Sequence, residues 1–182
     1  MKGASFLMNL VLIGYRCVGK TTVGKRVATQ LRTRFVDTDD LIEQRHGPIR
    51  DIVDTSGWPY FRFLEKEIIH EISVEYDLVI APGGGFILDQ DNVMALKRNG
   101  FVIWLKAEPQ VLYARMKNDL RTLVQRPSLT GNGILEEIED VMTFRAPFYE
   151  MASDVQLDTS DMDVETVMKR VLAIFEERKR RN

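Results

Sequence analysis

The chain has 182 residues, of which 45% are hydrophobic, and this is enough to fill one large core. It carries 25 lysines and arginines against 27 aspartates and glutamates, for a net charge of −2. Without a surplus of positive charge, nucleic acids and anionic membrane surfaces are excluded as expected partners, and a small molecule is favoured. We expect a single domain over residues 1–182 that is a monomer.

Cysteine content and hydropathy bear on the location of the protein. Cys17 is the only cysteine, so no disulfide can form within the chain, as is typical of a reducing compartment. The apolar N-terminal stretch is interrupted by Asn9 and runs into a glycine-rich motif, which argues against a signal peptide. No other segment approaches the roughly 18 apolar residues of a membrane span. We expect a cytoplasmic protein.

Short apolar runs alternate with amphipathic patterns along the chain. Three unbroken runs are typical of parallel strands buried on both faces, and two shorter segments are weaker candidates: 10–13, 78–81 and 101–105, then 35–36 and 155–157. Between them, apolar residues recur at helical spacing, for example after Pro59, which suits a first helical turn. This order predicts an α/β fold, a three-layer α/β/α sandwich around a five-stranded parallel sheet. Ligands are expected at the carboxyl ends of its strands.

The stretch GYRCVGKTTVG at 14–24 follows the first predicted strand directly. It matches the phosphate-binding pattern GxxxxGK[ST] in full, through Gly14, Gly19, Lys20 and Thr21. Three further residues are expected beside the phosphates: Cys17 and Val18 in the loop, and Thr22 in the first helical turn. The motif predicts a nucleoside triphosphate site in which the lysine reaches the β- and γ-phosphates and the threonine hydroxyl binds Mg²⁺.

Two aspartates end the predicted second strand, in FVDTDDLIE at 35–43. On an extended segment the side chains of Asp37 and Asp39 point the same way, so both are expected to face the phosphate cleft. One would serve Mg²⁺ through water, and the other would accept hydrogen bonds from substrate hydroxyls. Asp40 would point away, and we interpret it as a helix cap.

The residues after the strand at 78–81 help to separate the classes of phosphate-loop protein. Many ATPases have an acidic residue there, and GTPases carry a later NKxD motif, whereas this chain has Pro82-Gly83-Gly84-Gly85 and no NKxD. Three glycines let a bound molecule approach the backbone closely and leave N–H groups free to bond it. This pattern favours a small-molecule kinase.

Two arginines are candidates for gripping an acidic substrate. Arg62 and Glu65 stand three residues apart on a predicted helix and can pair. The pair is either an ordinary surface ion pair or a device that fixes the guanidinium for a bidentate grip on a carboxylate. Arg145 is the second candidate, and its alternative is a solvent-facing helix arginine.

Taken together, these segments resemble shikimate kinase. The resemblance covers nearly the whole chain and rests on the order and rough spacing of six segments: the glycine loop, FVDTDDLIE, FRFLE at 61–65, PGGGFIL at 82–88, Arg126-Pro127 and RAPFYEMA at 145–152. It implies a fold like that of the nucleoside monophosphate kinases. It also implies transfer of the ATP γ-phosphoryl group to the 3-hydroxyl of shikimate, in the chorismate route to aromatic amino acids.

The resemblance further implies roles for individual residues. Lys20 and Thr21 would hold the phosphates and Mg²⁺, Asp37 would lie near the metal, and Asp39 would bind the shikimate hydroxyls and orient the attacking oxygen. The carboxylate and ring of shikimate would be held by Arg62 and Arg145 and by Gly83, Gly84 and Gly85. Arg126 would reach the transferring phosphates from a lid at about 116–134, beyond a substrate-binding region at about 38–65. The expected catalytic residues are Lys20, Asp39 and Arg126, since phosphoryl transfer needs positioning and charge neutralisation.

Three segments depart from the pattern of the family. The arginine that stacks on adenine is followed by a longer stretch than usual, so either Arg115, which we count with the ATP-binding residues, or Arg121 would contact adenine. Trp58 stands where many members have an acidic residue, with no expected effect on the arginines. The loop after Thr159 lacks a proline that often borders adenine.

Two other functions stay open at this point. A kinase of the same fold could act on another small hydroxy acid such as gluconate. A regulatory protein could keep the nucleotide site without turnover, although a nucleotide sensor would not need Asp39, Arg62 and Arg145 as an acceptor clamp.

Overall fold

A computed structural model describes residues 8–117 and 133–181, and within them five strands form one parallel sheet in the order β2-β3-β1-β4-β5. The strands are β1 Asn9–Ile13, β2 Arg34–Asp37, β3 Leu78–Ala81, β4 Gly100–Lys106 and β5 Val155–Asp158. The predicted five-stranded parallel sheet is confirmed, including the two weaker strand candidates.

Helices connect the strands and cover both faces of the sheet. They are α1 Lys20–Leu31, α2 Thr38–His46, α3 Ile49–Ser73, α4 Gln90–Lys97, α5 Pro109–Lys117, α6 Ile134–Ala152 and α7 Val164–Arg181, with a 3₁₀ turn at Phe86–Leu88. Within residues 8–117 and 133–181, none of the helices combines the length and the apolar character that crossing a bilayer requires.

Alternating side chains of the sheet contribute to two separate cores. In β1, Leu10 and Leu12 pack on one face with residues of α1, α5 and α7, while Val11 and Ile13 pack on the other face with residues of α3 and α4. Every residue of this central strand is buried. Burial on both faces explains why the strand is a continuous apolar run and does not alternate.

Parallel pairing brings distant segments of the chain to one edge of the sheet. Val11 aligns with Ile80 on one side and Val102 on the other, and Asp37 aligns with Ala81. The carboxyl ends of the strands therefore lie together. The glycine loop, the start of α2 and the three successive glycines all begin at this edge, where ligands bind in such sheets.

Helix α3 changes direction at Gly57. This residue has φ 78° and ψ 168°, a backbone conformation that is essentially restricted to glycine. Pro59 follows in the first turn of the second half of the helix, as predicted, where its missing N–H costs no hydrogen bond. Beyond the kink, Phe61 and Leu64 pack with Ile42 of α2 in a small core of their own. This packing fixes the face of α3 that carries Arg62 and Glu65.

Candidate active site

The glycine loop and the start of α1 line a cleft of about 640 Å³, within the size range of ligand pockets. Gly14, Cys17 and Gly19 have φ of 140°, 61° and 109°. A Cβ on Gly14 would overlap the carbonyl oxygen of Leu105, so this position needs glycine. Helix α1 begins directly after Gly19, which has no side chain to cap the first N–H groups. Its N-terminus is therefore available to an anion.

Lys20 lies over the loop that precedes it. Its ammonium group donates to the carbonyl oxygens of Gly14, at 2.9 Å, and Tyr15, at 3.1 Å. Arg115 also lines the cleft, and it donates to the carbonyl oxygens of Thr159, at 2.9 Å, and Val18, at 3.3 Å. Lys20 and Arg115 thus both bring positive charge to the cleft.

Thr21 and Asp37 meet at the base of the cleft. The Thr21 hydroxyl donates to Oδ2 of Asp37 at 2.6 Å. The other oxygen of Asp37 accepts from the backbone N–H groups of Asp39, at 3.1 Å, and Asp40, at 3.4 Å, and so caps α2. Burial, together with the nearby Asp39 carboxylate, raises the pKa of Asp37. A bound cation would relieve this unfavourable charge.

A second, smaller cavity of about 60 Å³ adjoins the cleft. It is lined by three arginines, two carboxylates, three glycines and four aromatic or aliphatic side chains. Of the residues that the structure describes, Arg16 and Asp39 alone line both cavities. The excess of arginine favours an anionic ligand in the smaller cavity, and we call this cavity the acceptor pocket.

Arg62 is held in the acceptor pocket by a buried carboxylate and two aromatic rings. Its Nη1 donates to Oε2 of Glu65 at 2.6 Å, and the Glu65 side chain is only 1% exposed. The guanidinium carbon lies 5.5 Å from the ring centroid of Trp58 and 5.1 Å from that of Phe61. Burial raises the pKa of Glu65 to about 7, although the charge of Arg62 opposes the shift. The pair is therefore not an ordinary surface ion pair.

Arg145 is fixed against the three glycines. It is buried, and its Nη1 donates to the carbonyl oxygen of Gly84 at 3.1 Å. The same oxygen accepts from the Tyr149 hydroxyl at 2.6 Å. Burial raises the pKa of Tyr149, which keeps this hydroxyl a donor at neutral pH. The alternative of a solvent-facing Arg145 is wrong.

The glycines after β3 make room for the side chains of the pocket. A Cβ on Gly83 would lie 2.6 Å from Oδ1 of Asp39 and 2.6 Å from Oε1 of Glu65, and one on Gly85 would overlap the Arg62 guanidinium. The prediction of free N–H groups is wrong for Gly83, whose N–H donates to Oγ1 of Thr38 at 2.9 Å. These glycines thus allow charged groups to converge on the backbone.

The match to known proteins decides the family. The family model for shikimate kinase matches residues 16–176. The chain belongs to the shikimate kinase family. Shikimate kinases from Syntrophus aciditrophicus, Caldanaerobacter subterraneus and Symbiobacterium thermophilum are 37%, 39% and 38% identical to it. The matches span 92%, 93% and 94% of this chain and 91%, 96% and 98% of those proteins.

Solved structures agree with this membership. The shikimate kinase from Acinetobacter baumannii in complex with shikimate has a TM-score of 0.89 and 28% identity over 98% of both chains. The enzyme from Bacteroides thetaiotaomicron has a TM-score of 0.83 and 30% identity over 93% of this chain and 99% of its own. A gluconokinase from Sinorhizobium meliloti, at TM-score 0.55 and 16% identity over 92% and 91% of the two chains, shows a shared fold alone. The predicted P-loop fold like that of nucleoside monophosphate kinases is confirmed.

The predicted site residues of this shikimate kinase divide between the two cavities. Those in the cleft are Cys17, Val18, Gly19, Lys20, Thr21, Thr22, Asp37, Asp39 and Arg115, with Gly14 at the base of the loop. Those in the acceptor pocket are Asp39, Arg62, Gly83, Gly84, Gly85 and Arg145. Arg121, Arg126 and most of the lid predicted at 116–134 lie outside the described residues.

Three local predictions about this shikimate kinase site are wrong. Helix α2 begins at Thr38 and is capped by Asp37, so Asp40 is not the cap. Asp39 faces the cleft from the first turn of the helix and not from an extended strand, because β2 ends at Asp37, two residues earlier than predicted. Trp58 was expected to leave the arginines unaffected, yet its ring lies beside the guanidinium of Arg62.

Sequence reasoning missed Arg16, Thr38 and Tyr149. Arg16 could have been predicted, because it is a charged residue inside the glycine loop and such loops approach phosphates. Tyr149 lies four residues after Arg145, the spacing that places two side chains on the same helix face. Thr38 gives no sequence signal, since its partner is the backbone of Gly83.

Proposed function

We propose that this chain transfers the γ-phosphoryl group of ATP to the 3-hydroxyl of shikimate, giving shikimate 3-phosphate and ADP. The observation that carries the proposal is the junction, at Asp39, of a phosphate-binding cleft with an arginine-rich pocket. Membership of the shikimate kinase family, and the shikimate bound to the A. baumannii relative, support this acceptor.

The donor side uses the glycine loop. Lys20 and the N-terminus of α1 would hold the β- and γ-phosphates, with the lysine exchanging its contacts to the loop carbonyls for contacts to phosphate oxygens. Arg115 would lie beside the base or ribose, since it is fixed to Thr159, in the segment between β5 and α7 that also lines the cleft. Arg126 on the transferring phosphates stays a prediction.

Mg²⁺ fits the base of the cleft. Thr21 and Asp37 offer a hydroxyl and a buried carboxylate, both oxygen ligands of the kind that Mg²⁺ prefers. Across residues 8–117 and 133–181, no group of three or more His, Cys, Asp or Glu side chains could hold a metal by itself. The remaining ligands would therefore be phosphate oxygens and water. When bound, Mg²⁺ would neutralise charge that develops on the phosphates.

The acceptor side uses the region that we propose at about 38–65, together with the glycines and Arg145. Arg62 and Arg145 would bind the carboxylate of shikimate, because both guanidiniums are held in fixed orientations at the same three glycines. Asp39 would accept a hydrogen bond from the 3-hydroxyl and orient its oxygen towards the γ-phosphorus. This arrangement would separate the residues that bind the carboxylate from the residue that binds the reacting hydroxyl.

A coupled assay of ADP release, with shikimate, gluconate or no acceptor, tests the proposal. We expect release that depends on shikimate, with gluconate no better than the blank. Release with gluconate and not with shikimate would overturn the assignment. Nucleotide binding without acceptor-dependent release would instead favour a regulatory protein.

A further inference from the structure

We propose that Arg16 is a further catalytic residue, which stabilises the phosphoryl group during its transfer, and that Glu137 is the residue that positions it. This inference rests on the proposed kinase function. Its starting point is the junction of the two cavities, which Arg16 and Asp39 share among the residues described.

The place of Arg16 matches the place of the chemistry. In an in-line transfer, the phosphoryl group passes from the nucleotide cleft to the hydroxyl in the acceptor pocket. The group must therefore cross the region that Arg16 and Asp39 line. Asp39 contributes negative charge there, next to phosphates that are themselves negative. A cation at the same junction offsets this repulsion and stabilises the charge that spreads over the phosphoryl oxygens.

Glu137 holds the guanidinium of Arg16 from another part of the chain. Nη2 of Arg16 forms an ion pair with Oε1 of Glu137, and the two side chains are 11% and 3% exposed. Glu137 lies in the first turn of α6, 121 residues from Arg16. A carboxylate in this position fixes the direction in which the remaining N–H groups of the arginine point.

Arg16 retains donor capacity beyond this ion pair. Its Nε is buried and has no hydrogen-bond partner in the described part of the chain. A guanidinium presents five N–H donors in a fixed fork. Removing such a group from water without pairing all of its donors is unfavourable. An anion at the junction would supply the missing acceptor.

The test is Arg16→Met, which keeps much of the length of the side chain and removes its charge and donors. We expect kcat with shikimate to fall about 100-fold or more. The dissociation constants of ATP alone and shikimate alone should stay within about 3-fold of wild type, because Lys20, Arg62 and Arg145 are unchanged. Arg34→Met is the matched control, since it also breaks an ion pair, with Glu75, but lines neither cavity. Its kcat should equal that of wild type.

The outcomes separate catalysis from binding. A kcat for Arg16→Met within about 3-fold of wild type would overturn the proposal. A weaker affinity for shikimate at unchanged kcat would also overturn it, because this result would show that Arg16 binds the carboxylate of shikimate. Arg16→Lys should recover only part of the lost rate, since an ammonium keeps the charge but loses the fork.

A double-mutant cycle tests the role of Glu137. Glu137→Gln should lower kcat about 10-fold with little change in KM, and should cause no further loss when added to Arg16→Met. Equal losses in both backgrounds would show that Glu137 acts independently of Arg16 and would overturn its positioning role.

The same variants distinguish failure of the inference about Arg16 from misfolding and from failure of the proposed function. Arg16→Met removes a cation that pairs with the buried Glu137 carboxylate, so the double variant Arg16→Met/Glu137→Gln, which removes both charges, provides the folded comparison. It should have the low kcat of Arg16→Met at near wild-type stability. If wild type uses another acceptor, the assignment to shikimate fails, but Arg16→Met should still lower kcat with that acceptor. If wild type uses shikimate and the kcat of Arg16→Met with shikimate stays within about 3-fold of wild type, only the inference about Arg16 fails.

Discussion

Glu65 is the most deeply buried of the carboxylates that line the two cavities. It binds Arg62, yet burial raises its pKa to about 7. Near neutral pH the side chain is therefore partly protonated, and a protonated Glu65 can still orient Arg62 through its carbonyl oxygen. The net positive charge of the pocket is larger in this form, which favours an anionic acceptor.

The raised pKa of Glu65 predicts a pH dependence of stability. The folded state keeps a proton that the unfolded chain releases above about pH 4.5. The contribution of this proton to the free energy of unfolding is full below that pH and is lost as the pH rises towards 7. Glu65→Gln cannot ionise. Between pH 5 and pH 7, wild type should therefore lose about 2 kcal/mol more unfolding free energy than Glu65→Gln. Urea unfolding at the two pH values measures this, and parallel pH curves would contradict it.

Arg62→Ala should separate acceptor use from nucleotide binding. The substitution removes one of two fixed guanidiniums from the acceptor pocket and leaves the cleft unchanged. We expect kcat/KM for shikimate to fall about 100-fold, the scale of lost charge-assisted hydrogen bonds. The dissociation constant of ATP should change less than about 3-fold. Arg45→Ala, which breaks a surface pair with Glu71, is the control. A comparable loss of ATP binding in Arg62→Ala would show that Arg62 does not serve the acceptor alone.

At the scale of elements, the kink in α3 shapes the acceptor pocket. The first half of the helix supplies Ile49, and the second half supplies Trp58, Phe61, Arg62 and Glu65. A straight helix would present these side chains in other directions, so the pocket depends on the backbone of Gly57. The start of helix α2 shapes the nucleotide cleft in a similar way. Its cap, Asp37, accepts a hydrogen bond from Thr21 and so ties α2 to the first turn of α1.

Gly57→Ala should therefore damage the pocket through the backbone. Alanine at φ 78° and ψ 168° is strained, by about 1–3 kcal/mol. We expect lower thermal stability and a raised KM for shikimate, with ATP binding unchanged. Ser56→Ala, at an exposed neighbouring position, is the control and should match wild type in each measurement. A Gly57→Ala protein with wild-type stability and KM would show that the kink is not required.

At the scale of the whole molecule, the sheet positions the site and the outer helices stabilise the sheet. Helix α7 packs on α1, and Phe175 is buried against Phe101 of β4, with ring centroids 6.4 Å apart. The beginning of α7 lines the nucleotide cleft, whereas Phe175 lies three turns further along and lines neither cavity. Stability and chemistry are thus separable along this helix.

Phe175→Ala should lower the free energy of unfolding by about 3–5 kcal/mol, the usual cost of removing a buried aromatic ring. Below the unfolding transition, kcat per folded molecule should stay within about 2-fold of wild type. Urea unfolding and the coupled assay at low temperature give the two values. Met94→Ala, at a side chain that is 63% exposed, should change stability by less than about 0.5 kcal/mol. A large fall in kcat for folded Phe175→Ala would show that the end of α7 also shapes the site.

Local sequence patterns predicted β1, β3 and β4 well because these strands are short apolar runs that are buried on both faces. The weaker candidates at 35–36 and 155–157 are also strands, and their signal was weak because β2 and β5 are only partly buried. The start of α2 was misplaced by local reasoning. An Asp-Thr-Asp-Asp run allows several caps, and the choice depends on where β2 ends in the sheet.

By itself, the sequence determined the phosphate loop, the parallel α/β fold and the family, because these depend on residues that are neighbours along the chain. Only the tertiary structure decided that Arg16 and Asp39 share the junction of the two cavities, and that Glu137 holds Arg16 across 121 residues. It also decided that the glycines after β3 make space for Asp39, Glu65 and Arg62. The physical reason is that helix and strand patterns reflect neighbours within a turn or two. Contacts at the carboxyl edge of a parallel sheet join segments that the chain order keeps far apart.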